Sequence, residues 1–373
     1  MKSPIRVLHV LGRLNNGGAE SRTMDVYRAI DKSKIQFDFA IHTEQECYYS
    51  NEVRKLGGRI FVFPRFNGKN LLEYKKAWDI FFKTNPEYKI VHGHITTTAF
   101  IYLRSAKKNN VPIRIAHARS AQKSNKIRAL LAKLAKYSAN YLLAVSKLAA
   151  LSEFGEKAMN KENVKIIPNA IDAKKYSYNV QRRLELRKSL DLSNNLVLGH
   201  VGSFRYPKNH DFLIDIFKEV KEIRATAKLM LVGEGELRNK ITKKVDALGL
   251  SDSVIFTGIR NDIPDLLQVI DILIFPSIYE GFPGVVLEAQ AAGLPCVISD
   301  SITKEIELTN LITYCSIKDK PKVWSEIIIK QANIIDRQLT YNLIQEKGYD
   351  INSVSNWYLE FYSKVFKYDQ ENC

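Results

Sequence analysis

Two successive series of short apolar runs, each run followed by an amphipathic stretch, constrain this chain more than any other feature. In the first series the runs fall at residues 5–10, 37–41, 60–63, 90–92, 113–116, 141–145 and 164–167. In the second they fall at 197–201, 228–232, 254–256, 271–275 and 295–298. Runs this short, rich in Ile, Val and Leu and separated by helical periodicity, predict βαβ units and parallel sheets covered on both faces. A length of 373 residues exceeds one comfortable core, so each series predicts a domain of its own. The expected division is 1–172, a polar and charged connection over 173–195, a second domain over 196–350, and a closing helix over 351–373. That helix carries Val354, Trp357, Tyr358, Phe361 and Val365 on one face. Two parallel sheets facing one another leave a cleft at the carboxyl ends of their strands, where such sheets bind ligands.

The charge is divided unevenly. Residues 1–170 hold 30 Lys and Arg against 13 Asp and Glu, whereas the remaining 203 hold 26 against 27. A basic half attracts either nucleic acid or an anionic membrane surface. The cations are dispersed and no nucleic-acid motif accompanies them, so no nucleic-acid partner is expected. The stretch 122–137 places Ile127, Leu130, Leu131 and Leu134 in one stripe, flanked by Lys123, Lys126, Lys133 and Lys136. Such a helix either lies on an anionic leaflet or packs on its own sheet with its lysines in water. Four scattered cysteines (Cys47, Cys296, Cys315, Cys373) without CxxC spacing predict reduced thiols and a cytoplasmic setting. No signal-like start and no membrane-length apolar run are present, so any membrane contact is expected to be peripheral.

Chemistry concentrates in Pro276-Ser-Ile-Tyr-Glu280-Gly281-Phe282-Pro283-Gly284-Val-Val-Leu-Glu288, which follows the run 271–275. Pro283 suits a first helical position. Glu280 then lies in a strand-to-helix loop, and Glu288 lies beyond the helix's first turn. Such a loop supplies free N–H groups, small residues that allow close approach, and two acceptors for hydroxyl groups. The segment resembles the Glu-x7-Glu signature of retaining, nucleotide-sugar-dependent glycosyltransferases of family four. Its flanks, Phe275-Pro-Ser and Ala289-Gln-Ala-Ala-Gly-Leu-Pro295, share in the likeness, which extends in order over nearly the whole chain.

The resemblance implies the GT-B fold: two Rossmann-like parallel-sheet domains across a cleft, with the last helix crossing back to the first domain. It implies that Glu288 accepts the ribose hydroxyls and that Glu280 contacts the transferred sugar, with Gly281, Phe282, Pro283 and Gly284 lining that site. Gly202-Ser-Phe-Arg205-Tyr-Pro-Lys208 resembles the family's diphosphate-binding loop. Lys208 stands at the family's lysine position, but Ser203 replaces the usual arginine and Arg205 lies two residues later. Gly233 and Gly235 resemble the turn that lets a helix start close to the nucleotide. Ile259 and Arg260 fall in the segment that reads the base. His117 matches the histidine that the family places at the donor sugar, and His92 and His94 are further cleft candidates. Gly17 and Gly18, after the first strand, open a helix toward a phosphate or an acceptor.

The activity so implied is retaining transfer of a sugar, with UDP as the expected carrier, to a lipid-linked or glycan acceptor in bacterial surface polysaccharide synthesis. The family's favoured account is front-face transfer, in which the departing diphosphate takes the acceptor proton. With no Asp-x-Asp pair and no His/Cys/Asp cluster, neither a metal nor a cofactor is expected. Two other readings of the same architecture remain, a non-hydrolysing nucleotide-sugar epimerase and a degenerate nucleotide-binding partner subunit.

Overall fold

The computed structural model describes residues 3–15, 17–119, 126–159, 163–280, 282–332 and 337–371, the side chains of 126–129 and 370 excepted. Contacts divide the chain into two compact units, residues 1–170 with 350–373, and residues 171–349.

The first unit contains β1 (Ile5–Val10), β2 (Ile35–Ile41), β3 (Ile60–Val62), β4 (Ile90–Gly93), β5 (Ile113–Ala118), β6 (Tyr141–Ala144) and β7 (Val164–Ile166). All pair in parallel, in the order β3-β2-β1-β4-β5-β6-β7. The second unit contains β8 (Val197–Val201), β9 (Lys228–Val232), β10 (Val254–Gly258), β11 (Ile272–Phe275), β12 (Cys296–Ser299) and β13 (Ile312–Cys315), parallel in the order β10-β9-β8-β11-β12-β13. β13 is the one strand here that the apolar pattern did not predict. It is an edge strand, Ile312-Thr-Tyr-Cys315, in which only Cys315 is buried and the polar Thr313 interrupts the apolar run.

Strand order reverses beside the first strand in both units, between β1 and β4 and between β8 and β11. At such a switch point the flanking connections leave to opposite faces of the sheet, opening a crevice at the carboxyl ends. The loops after these strands are the ones that carry the candidate residues.

The expected crossing of the last helix is present. Ile351–Glu371 buries Ile351, Val354, Tyr358, Tyr362 and Val365 in the first unit's core, beside Val7, Phe37, Ile90 and Ile115. Their three- and four-residue spacing makes one helical stripe, with Trp357 and Phe361 packed at its margin. Residues 173–195 lie in the second unit and include the helix Val180–Ser189, which packs on the helix Ile263–Val269. Arg183 and Arg187 of that helix both bond the Asp271 carboxylate just before β11. Among the described residues, no helix is long and apolar enough to cross a membrane.

Candidate active site

In the second unit, three loops converge at the carboxyl ends of β8, β9 and β11. The chain leaves β8 through Gly202 and forms a single 3-10 turn, Tyr206–Lys208. Asn209 follows in the left-handed region at φ 56°, where an asparagine is tolerated, and reverses the chain into the helix His210–Ile223. The Asn209 Nδ2 donates to Pro276 O at 3.1 Å, and Ile278 N donates to Pro207 O at 2.9 Å. These two bonds tie the β8 loop to the β11 loop.

The tie sets Lys208 against Glu280. Lys208 Nζ donates to Glu280 Oε1 at 2.6 Å, and both side chains are about four-fifths buried. The same ammonium lies 4.6 Å from the centre of the Phe275 ring, which adds a cation–π attraction. Gly202 completes this corner, since a Cβ there would stand 3.2 Å from Lys208 Cε. Glu288 is buried on the helix Gly284–Ala291. Pro283 is the residue before that helix, one position earlier than its sequence suggests, and Gly284 is the first helical residue. Phe282 is buried and stacks on Tyr349 at 5.4 Å. Gly281 lies outside the described residues.

The β9 loop needs its glycines. Gly233 has φ +134°, and a Cβ there would fall 2.2 Å from Gly202 O. A Cβ on Gly235 would fall 2.7 Å from Phe204 O. The two loops are hydrogen-bonded through Gly202 N to Val232 O, Phe204 N to Glu234 O and Leu237 N to Phe204 O. Beyond β10, Gly233 N donates to Gly258 O at 2.8 Å. Ile259 is 64% exposed. Arg260 is exposed and held by Asp262, Nε to Oδ1 at 2.8 Å and Nη2 to Oδ2 at 2.5 Å. Arg205 is exposed, and among the described residues its side chain makes no ion pair or hydrogen bond.

The first unit presents a different chemistry. His9 and His92 are paired across β1 and β4. His92 pairs with Ile115 across β4 and β5, so His117 and His94, each two residues further on, point to the same face. All four imidazoles are buried, with His92 4.4 Å from His94 and 5.2 Å from His117 between ring centres. Burial pushes all four well below the ordinary histidine value, and the Arg119 cation adds to the shift. They are therefore neutral.

Ring nitrogens of His9, His92 and His94 lie within 4.8 Å of one another, close enough in principle to ligate a metal. Their hydrogen bonds oppose it. Arg119 Nε donates to His94 Nδ1 at 3.0 Å, so His94 carries its own proton on Nε2, the nitrogen facing His9. A metal at that nitrogen would require an imidazolate next to a guanidinium, with no carboxylate in the set.

Gly17 caps the helix Gly18–Ala29. A Cβ on Gly17 would stand 2.5 Å from Glu20 Oε2, which folds back over the helix start, whereas one on Gly18 would meet nothing within 4 Å. Packing thus demands neither glycine, since the Glu20 carboxylate is the movable end of its side chain.

Sequence reasoning missed His9, Arg119 and Tyr362 as members of this cluster. A signal existed: β1, β4 and β5 each carry a histidine near the carboxyl end, with His9 and His92 in register and His117 two residues beyond the position that pairs with His92, on the same face. Lys123 lies outside the described residues, as do the side chains of Lys126 and Ile127. Of the remaining stripe, Leu130 is 60% exposed and Leu131 and Leu134 are half-buried.

Residues 16–175 match the family Glycosyltransferase Family 4, and residues 195–329 match Glycosyl transferases group 1. Over 357 residues the chain is 34% identical to the putative glycosyltransferase EpsF of Bacillus subtilis (strain 168), covering 92% of this chain and 93% of that protein. It belongs to glycosyltransferase family four. Among other relatives, this family-four chain is 26% identical over 374 residues to the capsular polysaccharide biosynthesis glycosyltransferase CapH of Staphylococcus aureus, with 96% and 98% of the two chains covered. It is 28% identical over 228 residues to the UDP-Gal:alpha-D-GlcNAc-diphosphoundecaprenol alpha-1,3-galactosyltransferase of Escherichia coli, with 57% and 58% covered. Its fold matches that of Anabaena Alr3699/HepE in complex with UDP and glucose at a TM-score of 0.78 and 20% identity, over 96% of this chain and 99% of that one. The expected GT-B architecture is therefore the one this family-four chain adopts.

Proposed function

We propose that this glycosyltransferase is a retaining enzyme that moves a sugar from a UDP-linked donor to a lipid-linked acceptor in the assembly of a bacterial surface polysaccharide. The observation that carries this reading is the Lys208–Glu280 pair at the β8/β11 switch point of a family-four chain. The relatives' own names support the rest. One uses UDP-Gal and a diphosphoundecaprenol-linked acceptor, another serves capsular polysaccharide biosynthesis, and the HepE fold is known with UDP and glucose.

The chemistry follows from charge. As the bond from the anomeric carbon to the diphosphate lengthens, negative charge grows on the leaving oxygen and the sugar becomes oxocarbenium-like. A cation fixed beforehand at the diphosphate stabilises that state more than the bound substrate. Lys208 is such a cation: Glu280 and Phe275 already hold it in place, so little reorganisation accompanies reaction. At about 4 Å and an effective dielectric near 20, it interacts with one phosphate charge by roughly 4 kcal/mol, of which only part is differential. Arg205, exposed and unpaired among the described residues, supplies a second cation in place of the family arginine absent at Ser203.

In this scheme Glu288 accepts the ribose hydroxyls, while Gly202, Gly233 and Gly235 let the backbone approach the phosphates. Ile259 and Arg260 flank the base, and Glu280 and His117 serve the transferred sugar with Phe282, Pro283 and Gly284. Gly17 and Gly18 serve the acceptor or its phosphate. No metal takes part: the cation at the diphosphate is Lys208. On the first unit, Leu130, Tyr137, Leu148 and Leu151 are exposed on adjoining helices beside Lys133. That mixture suits peripheral contact with an anionic leaflet, where a lipid-linked acceptor resides.

The test is transfer from a panel of radiolabelled UDP-, GDP- and ADP-sugars to diphosphoundecaprenol-linked sugars in the presence of EDTA. The product is then read by NMR for anomeric configuration. Transfer from a UDP-sugar with the donor's configuration kept is the expected result. An inverted product, a requirement for divalent metal, or ring isomerisation without transfer would refute it.

A further inference from the structure

We infer that Tyr362 and His92 are positioning residues: they form a relay that fixes His117 as the tautomer with its proton on Nε2, presenting an N–H donor to a sugar hydroxyl. This rests on the reading above, in which His117 serves the transferred sugar.

The direction of the relay follows from counting donors. Tyr362 Oη lies 2.6 Å from His92 Nδ1, and His92 Nε2 lies 3.0 Å from His117 Nδ1. Tyr362 is fully buried on the last helix, and His92 Nδ1 is the one acceptor its hydroxyl has among the described residues. Burial holds the phenol well above the ordinary tyrosine value, so it keeps its proton. If His92 carried its proton on Nδ1, that proton would point at the hydroxyl and the hydroxyl hydrogen would have no acceptor. A buried donor without an acceptor is disfavoured. The proton order is therefore Tyr362 O–H to His92 Nδ1, then His92 Nε2–H to His117 Nδ1. The remaining proton of His117 is on Nε2, which is buried and has no partner among the described residues.

A second relay beside the first confirms that the cluster is built this way. Arg119 can only donate, so its Nε–H to His94 Nδ1 fixes His94 Nε2–H, which donates to His9 Nδ1 at 3.0 Å. His9 Nε2 is likewise buried without a partner among the described residues. Arg119 is itself anchored by Thr23 Oγ1 at 2.9 Å and Asn169 Oδ1 at 3.2 Å. Both relays thus run from a group that must donate, Arg119 because it has no acceptor and Tyr362 because its hydroxyl hydrogen has no other partner, to an imidazole N–H that nothing among the described residues accepts. Unsatisfied buried donors are uncommon, and two at matching ends of parallel chains point to an oxygen ligand.

This arrangement gives His117 a defined role. Being neutral and already protonated on Nε2, it cannot act as a base there. It can orient a hydroxyl oxygen. Tyr362 of the last helix, 270 residues from His92 in sequence, then sets which proton His117 shows.

The test has two arms. In protein labelled with 15N-histidine, the protonated and bare ring nitrogens of each imidazole are distinguished by their shifts, first without ligand. His117 and His92 should both be protonated on Nε2, and Tyr362→Phe should convert a measurable fraction of His92 and His117 to the other tautomer while circular dichroism stays unchanged. In the kinetic arm, Tyr362→Phe should lower kcat about fivefold, the worth of one neutral hydrogen bond, with donor KM little changed. Finding His117 protonated on Nδ1 in the unaltered protein would overturn the relay, whatever the variants do. So would unchanged tautomers in Tyr362→Phe. Full activity in His117→Ala would instead overturn the sugar-contact reading, and with it the relay's effect on rate, while the 15N spectra still decide the relay itself.

Discussion

The two units share a strand order and a switch point but place opposite chemistry there. The first presents stacked, neutral imidazoles, buried and linked by hydrogen bonds. The second presents a charged pair, Lys208 and Glu280, each about one-fifth exposed. Burial makes the difference. Desolvation strips the histidines of charge and leaves them as oriented dipoles, whereas the Glu280 contact and the Phe275 ring hold the Lys208 ammonium in place for an anion. One backbone device thus supplies directional donors in one unit and electrostatic stabilisation in the other.

Acid should break this comparison most strongly. All seven histidines lie below their ordinary value, five in the first unit and two in the second, with desolvation the leading cause in each. Below about pH 6.5 the unfolded chain takes up protons that the folded chain refuses, so stability falls as pH falls. Above about pH 7.5 the term vanishes. Each buried histidine contributes at most about 1.4 kcal/mol per pH unit, so His9, His92, His94 and His117 together contribute at most about 5.5 kcal/mol per pH unit. Hydrogen exchange at pH 5.5 against pH 7.5 should show the first unit opening well before the second. Equal loss of protection in both would count against the buried neutral cluster.

Lys208→Ala comes next. Removing a fixed cation at the leaving group should lower kcat by about 10²- to 10³-fold in a protein with normal thermal stability. A change confined to donor KM would mean that Lys208 binds without assisting departure. Glu288→Ala should weaken donor binding roughly tenfold to a hundredfold by calorimetry, as expected for lost hydrogen bonds to a charged acceptor. Unaltered affinity would remove Glu288 from the ribose.

The smallest effect sharpens the comparison through one glycine from each unit. Gly233→Ala meets Gly202 O at 2.2 Å with φ +134°, and should cost about 1–3 kcal/mol in urea unfolding along with donor binding. Gly18→Ala, with nothing within 4 Å at a helix start, should raise stability by up to about 1 kcal/mol yet slow transfer. Undiminished transfer in Gly18→Ala would show that no ligand approaches that loop.

Much of this was legible in the sequence. Twelve of the strands announced themselves as short apolar runs; the edge strand β13 did not. Lys208 and Glu280 were readable from their loop motifs, and the structure brings them to 2.6 Å. The histidine relays were not readable. His92 and His94 were visible candidates, but the link from His92 to Tyr362 spans 270 residues and depends on strand register and on the last helix's rotation. No local pattern encodes either. Arg260 looked like a ligand group, yet its local pairing with Asp262 depends on how the turn closes.

The most direct measurement is a thermal-shift titration with UDP-, GDP- and ADP-sugars in metal-free buffer, on the unaltered protein and on folded Lys208→Ala and Glu288→Ala. A saturating shift with a UDP-sugar, lost or strongly weakened in both variants, is the result this account predicts. No shift from any nucleotide sugar with a well-folded protein, or a shift that both variants retain in full, would contradict it.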